Sequence, residues 1–328
     1  MSNKNTVRTA NSLFLALVLI SVCAHIFVSI LAAKGINIHI VVNLLISQLI
    51  ILIPGLIYLV CVSKDEISIV NYKKIRPVSV FLLFVVTWLL MPLVTAINAF
   101  SQLFTKNAVM EISGDVLSLP LLPMLLIIGI LGPFNEEFVF RGLIYNSLKT
   151  RTSRYIASAF VSALFFGLMH LNFNQFCYAF ILGIAFAFID ELMDSTWPSF
   201  ICHAVVNSQN VLMLYIANKI VELGTGYGLD KYYNDMSPGA NAIQAGSKIV
   251  LLLMFLILLV VSLVTTALAC LLMYGILALE GKEDRVKLIF SKYVKTDKEK
   301  VITISGYVAI TICVFVIFLL EPVINLLK

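Results

Sequence analysis

The chain has 328 residues, of which 60% are hydrophobic and only 12% charged, with a formal charge of +5. Soluble globular domains carry about 25% charged residues, so an ordinary soluble enzyme is excluded and an all-α, multi-pass membrane protein is expected. The basic residues lie in short connections beside apolar runs rather than on one folded face, which sets nucleic acid aside as a partner.

Stretches free of Asp, Glu, Lys and Arg define the predicted elements. The first, residues 9–33, follows Lys4 and Arg8. It is too long for the core of a signal peptide and ends without a small-x-small site, so it reads as a retained first membrane helix. Runs 35–63 and 77–105 give the second and third helices. Run 116–135 is interrupted by Pro120, Pro123 and Gly132-Pro133, yet its helical pattern continues past Glu136, Glu137 and Arg141 to about Leu148. One broken helix is expected there, with Pro133 restarting it and a polar chamber beside the break. Run 155–189 exceeds one crossing and divides at Asn172-Phe173-Asn174 into two shorter helices. Run 195–218 begins with Ser195 and Thr196 as cap candidates and Pro198 in the first turn. Runs 249–279 and 301–320 complete nine expected spans, with eight as the alternative count.

Lysine and arginine set the orientation. With the N-terminus cytosolic, sixteen of the 23 basic residues fall inside and six outside, while Arg141 lies within a span. The expected organisation is an N-terminal group of three helices (1–115), a core (116–218), an external and mobile loop (219–248) and two C-terminal helices (249–328). A cytosolic loop of mixed charge covers 280–300. No two of the six cysteines are closer than Cys177 and Cys202, so neither a CxxC pair nor a thiolate zinc site is encoded.

Ionisable groups inside spans cost roughly 2.5–3.5 kcal/mol each on insertion scales and therefore direct attention to chemistry. Glu137 and Arg141 stand four apart on one helix face and form a natural pair. Glu136 is rotated by about 100° from Glu137, has no local partner and is the candidate general base. Phe166 and His170 are again four apart, as are His203 and Asn207, whose donors suit a developing oxyanion. The simpler readings are a buried salt bridge, an interfacial histidine and an interhelical hydrogen bond. His25 and His39 have no acidic or amide companion at helical spacing and are assigned to packing or interface positions.

Taken in order, Glu136-Glu137-x-x-x-Arg141, Phe166-x-x-x-His170 and His203-x-x-x-Asn207 resemble the CAAX protease and bacteriocin-processing family, which includes the Ras-converting CAAX endopeptidases. The string Glu136-Glu137-Phe138-Val139-Phe140-Arg141-Gly142 is similar to its first motif, and the resemblance covers about residues 116–211. It implies an intramembrane glutamate protease without a cofactor. Glu136 and His170 would activate a water, and His203 and Asn207 would stabilise the oxyanion. Glu137, Arg141 and Phe166 would hold the geometry. The implied partner is a membrane-embedded or membrane-associated peptide or protein, and the implied location is the plasma membrane of a bacterium.

Three alternatives stay open at this point. Glu136, Glu137, His170 and His203 are also a candidate ligand set for a catalytic zinc, although Arg141 competes for a carboxylate and no HExxH is present. A proton-coupled transporter would use buried Glu, Arg and His equally well, but no second broken helix repeats the pattern. A non-enzymatic immunity protein is the third.

Overall fold

The computed structural model describes residues 4–36, 38–62, 70–107, 110, 112–152, 154–229, 240–290 and 300–320. Among them there is no β-strand. The helices in chain order are α1 (Lys4–Ala33), α2 (Ile40–Val62), α3 (Pro77–Ser101), a short α4 (Ser113–Leu117) and α5 (Leu121–Lys149). Then follow α6 (Tyr155–Met169), α7 (Phe173–Met193), α8 (Trp197–Thr225), α9 (Ala240–Glu280), a short α10 (Asp284–Phe290) and α11 (Ile304–Leu320). Seven of these, namely α1, α2, α3, α5, α7, α8 and α9, contain stretches long and apolar enough to cross a membrane. The shorter α6 and α11 are apolar as well, so each of the nine predicted segments forms a helix. The protein is an integral, multi-pass helical membrane protein.

Helix α5 lies at the centre, touched by α1 and α2 on one side and by α6, α7 and α8 on the other. Helix α9 runs along α3, and α11 packs on α1. One apolar cluster joins Phe14 and Leu17 of α1, Val139 and Leu143 of α5, Phe165 of α6 and Cys313 of α11. A second joins Leu83, Phe186, Cys202 and Ile276 from α3, α7, α8 and α9.

Three sequence-based expectations need correction. Helix α5 is not broken at Gly132-Pro133 but passes through it, widening into π-helix at Leu125–Leu131 and again at Phe138–Tyr145. The reason is a hydrogen-bond exchange. In the first π stretch the Gly132 N–H reaches back to the Ile127 carbonyl, and Pro133 has no N–H for the Ile128 carbonyl. Asn207 Nδ2 supplies that missing donor from α8 at 3.2 Å, so the backbone need not open to find a partner.

The second correction concerns residues 219–248. The predicted loop is helical at both ends, because α8 runs to Thr225 and α9 starts at Ala240. Gly226, at φ +79°, ends α8 in the left-handed cap that glycine adopts without strain. Residues 230–239, at the middle of the expected loop, lie outside the described residues, as do 291–299 of the cytosolic loop 280–300.

The third is the start of α8. Thr196 makes no side-chain cap and Ser195 accepts only from the first N–H of α8, that of Trp197, at 3.3 Å; Asp190 takes the Ser199 N–H and the Ser199 hydroxyl at 2.8 Å each.

The acidic segment at the α7–α8 turn is matched on every side by basic residues of the connections expected to be cytosolic. Glu191 accepts from Lys149 Nζ at 2.6 Å and Arg285 Nη2 at 2.8 Å, and from the Tyr145 hydroxyl. Asp194 accepts from Lys73 Nζ and Asn71 Nδ2. Burial works to raise the Asp194 carboxyl, but the Lys73 hydrogen bond and the Arg285 charge outweigh it and hold the group below the ordinary carboxylate value. Glu280 of α9 accepts from the Arg76 N–H and the Ser79 hydroxyl, capping α3 from a neighbouring helix. These contacts fix the positions of α3, α5, α7, α9 and α10 relative to one another at one end of the bundle.

Candidate active site

Arg141 is the largest fully buried side chain in the protein's described part. Its Nε lies 3.1 Å from Glu137 Oε2, with both side chains wholly shielded from solvent. The other Glu137 oxygen accepts from His203 Nδ1–H at 2.8 Å. The guanidinium is covered by the ring of Phe166, 4.3 Å away, and by Phe186 at 5.6 Å. Stacking on aromatic faces suits a planar, weakly hydrated cation better than it would suit lysine. Space for the guanidinium comes from Gly183, where a Cβ would stand 3.2 Å from Arg141 Nη2 and 3.0 Å from Ala163.

The adjacent Glu136 has a different environment. It opens onto a cavity of about 280 Å³ that is also lined by Gln48, His170, Gln175, Tyr178, His203 and Asn207. With Nδ1 of His203 held on Glu137, the Nε2 atom is presented to Glu136 Oε2, 3.8 Å away. Phe166 links the two histidines, edge-on to His170 at 5.3 Å and to His203 at 5.6 Å between ring centroids.

His170 reaches this depth because α6 is short. Fifteen residues rise about 22 Å at 1.5 Å per residue, less than the ~30 Å of a hydrocarbon core. Leu171 then turns the chain at φ +54°, a left-handed conformation that is an outlier for a bulky residue. Asn172 starts α7 by accepting from the Gln175 N–H at 2.8 Å. A helix that stopped at the far membrane surface would carry His170 away from Glu136.

All seven residues singled out in the sequence therefore come together. Glu136, Phe166, His170, His203 and Asn207 line the cavity, and Glu137 and Arg141 lie directly behind it. Asn207 has a structural duty besides any chemical one, since one of its two amide hydrogens is used by Ile128. Glu137 is occupied by Arg141 and His203, and among the described residues no three His, Cys, Asp or Glu side chains gather as metal ligands.

Sequence reasoning missed Phe186, Gly183, Gln48, Gln175 and Tyr178. Gly183 had a signal, since a glycine on a helix beside a buried arginine marks room for it. Gln48 had one too, as an amide within an uncharged, largely apolar span. His25, assigned to packing, lines a cavity that also contains Glu136 and His170. His39 is at the start of α2, where its Nδ1 accepts from the Val41 N–H at 3.3 Å.

The fold and this site define a class: a polytopic helical membrane protein with a Glu-Glu/Arg, Phe/His and His/Asn constellation on its central helices. Residues 118–209 match the family described as type II CAAX prenyl endopeptidase Rce1-like. Over 90 residues the chain is 28% identical to a Bacillus subtilis (strain 168) protein named "Putative membrane peptidase YdiL". That alignment covers 27% of this chain and 36% of the relative, so the chain spans about a third of the length of the curated relative it matches. No solved structure matches the chain.

Proposed function

We propose that the protein is an intramembrane endopeptidase that cleaves a membrane-associated or lipidated peptide or protein by attack of an activated water. The observation that carries this reading is the division of labour between neighbouring carboxylates: Glu137 is consumed by Arg141 and His203, while Glu136 faces the cavity with His170. The printed names of the matching family and of the Bacillus protein support it.

In this mechanism Glu136 takes a proton from a water held with His170 as the water oxygen attacks the scissile carbonyl carbon. The tetrahedral intermediate then collapses, the C–N bond breaks, and Glu136 returns the proton to the leaving nitrogen. General acid–base catalysis of this kind contributes about 10²–10⁴-fold. The second amide hydrogen of Asn207 is the donor that stabilises the oxyanion; His203 joins it only as the doubly protonated ring, since with Nδ1–H given to Glu137 the neutral ring leaves Nε2 an acceptor. Glu137, Arg141 and Phe166 set the orientation of His203. Substrates of CAAX type and substrates of bacteriocin or immunity-related processing both fit this reading.

The test is cleavage of prenylated and unprenylated peptides by purified protein in liposomes, comparing wild type with Glu136→Ala and His170→Ala, each with and without a chelator. Loss of cleavage in both variants with no chelator effect is the expected result. Chelator-sensitive cleavage would move the mechanism to zinc. Absence of cleavage with every peptide would favour transport or a non-enzymatic immunity role.

A further inference from the structure

Beyond the matched segment, α1 and α2 bring polar side chains to the back of the chamber. Ser21 and His25 of α1 and Ser47 and Gln48 of α2 line a cavity of about 190 Å³, and Glu136, Phe166 and His170 form its opposite wall. Five of these residues, Ser47, Gln48, Glu136, Phe166 and His170, also line the larger cavity, so the two spaces meet at Glu136 and His170.

The hydrogen bonds on the α1–α2 wall leave defined capacity toward the cavity. His25 Nδ1–H donates to the Ser21 carbonyl at 2.8 Å, which in the neutral ring leaves Nε2 as an acceptor. Ser47 donates its hydroxyl to the Leu44 carbonyl, keeping its lone pairs. Gln48 accepts from Asn135 Nδ2 through Oε1 at 3.2 Å, keeping its amide N–H groups as donors. Acceptors and donors facing one small space are what a bound water requires, namely two to four polar partners.

The depth is also consistent. His25 is eight residues from the α1 end at Ala33, and Gln48 is eight residues from the α2 start at Ile40. Each therefore lies about 12 Å below the same face of the bundle. Hydrolysis consumes one water per bond, and at membrane depth polar groups are tolerated only where protein or a water-filled cavity covers them.

We propose that the α1–α2 cleft is a water-binding site and entry route that supplies Glu136 and His170 from the membrane face where α1 ends and α2 begins. His25 is a positioning residue acting through that water. The purpose of the route rests on the peptidase reading; its existence does not.

The experiment measures thiol hydration. Ser47→Cys, and Leu49→Cys as the lipid-facing reference on the same helix, are placed in full-length protein whose six native cysteines are changed to alanine, then reconstituted in liposomes. A charged, membrane-impermeant methanethiosulfonate is added. Ser47→Cys is expected to react about tenfold faster, because only a hydrated thiol ionises to the reactive thiolate. Adding His25→Trp, which fills the cleft, slows that reaction; His25→Leu, which leaves it open, preserves it. Equal rates at 47 and 49 would overturn the proposal, as would a His25→Trp protein that labels like its parent. In cleavage assays His25→Phe is expected to lower kcat with KM unchanged. A protein that labels as expected yet cleaves no peptide would remove the peptidase reading and leave the water site standing.

Discussion

On the Glu137 side of α5 the protein is dry: the ion pair with Arg141 is completely covered, and aromatic rings cover the guanidinium where water would otherwise be. One residue earlier, on the Glu136 side, the same helix borders two connected cavities lined by amides, hydroxyls and imidazoles. The two regions share His203, which binds Glu137 with one ring nitrogen and turns the other toward Glu136. The comparison shows how a membrane protein can hold two adjacent carboxylates for different purposes. One carboxylate is tied into a buried network, and the other is the one to which the proposed mechanism gives the proton exchange.

Breaking the dry half should have the largest consequence for stability. Arg141→Ala leaves Glu137 buried without its cation and is expected to cost about 3–5 kcal/mol, seen as loss of the folded protein in a thermal melt in detergent. Replacing both partners, Glu137→Gln with Arg141→Met, should recover part of that loss, because no unpaired charge remains. Breaking the wet half should have the opposite signature. Glu136→Gln should leave the melting temperature within a few degrees of wild type while cleavage falls by about 10²–10⁴-fold.

Asn207→Leu tests the boundary between the halves. It orphans the Ile128 carbonyl and should cost about 1–3 kcal/mol, so melting and cleavage should both fall, unlike Glu136→Gln. The smallest effect is expected far from the site. The Asp194 carboxyl is held below its ordinary value, so its contribution is complete above the unfolded carboxylate pKa of about 3.9 and is lost as pH falls through the lower folded value. Melts between pH 3 and 7 should show that acid-side loss in wild type and a shallower one in Asp194→Asn.

Much of this comparison was legible in the sequence. The i,i+4 spacing of Glu137 and Arg141, of Phe166 and His170 and of His203 and Asn207 is a one-helix property, and one-helix properties follow from chain order alone. The phase of Glu136 against Glu137 follows in the same way. What could not be read were facts that need a second helix or a changed helical pitch. The π winding before Gly132-Pro133 is matched by a donor from Asn207, 79 residues along the chain from the Ile128 carbonyl it serves. The cap of α8 comes from Asp190 because the α7–α8 turn folds back on itself. His25 was assigned to packing because its companions, Ser47 and Gln48, are on another helix.

The π stretch at Leu125–Leu131 bears on how relatives of this chain should be compared. A π turn accommodates roughly one more residue than an α turn, so it marks the place where a residue can be gained or lost without ending the helix. Deleting one there would restore ordinary winding and leave Leu121–Met124 on nearly the same face relative to Glu136, because the wider turn has already absorbed the added residue's rotation of about 100°. Two sequences with the same glutamate chemistry can therefore align with a single-residue gap inside a membrane helix. At this position such a gap records a change of pitch, and it carries no weight against common descent.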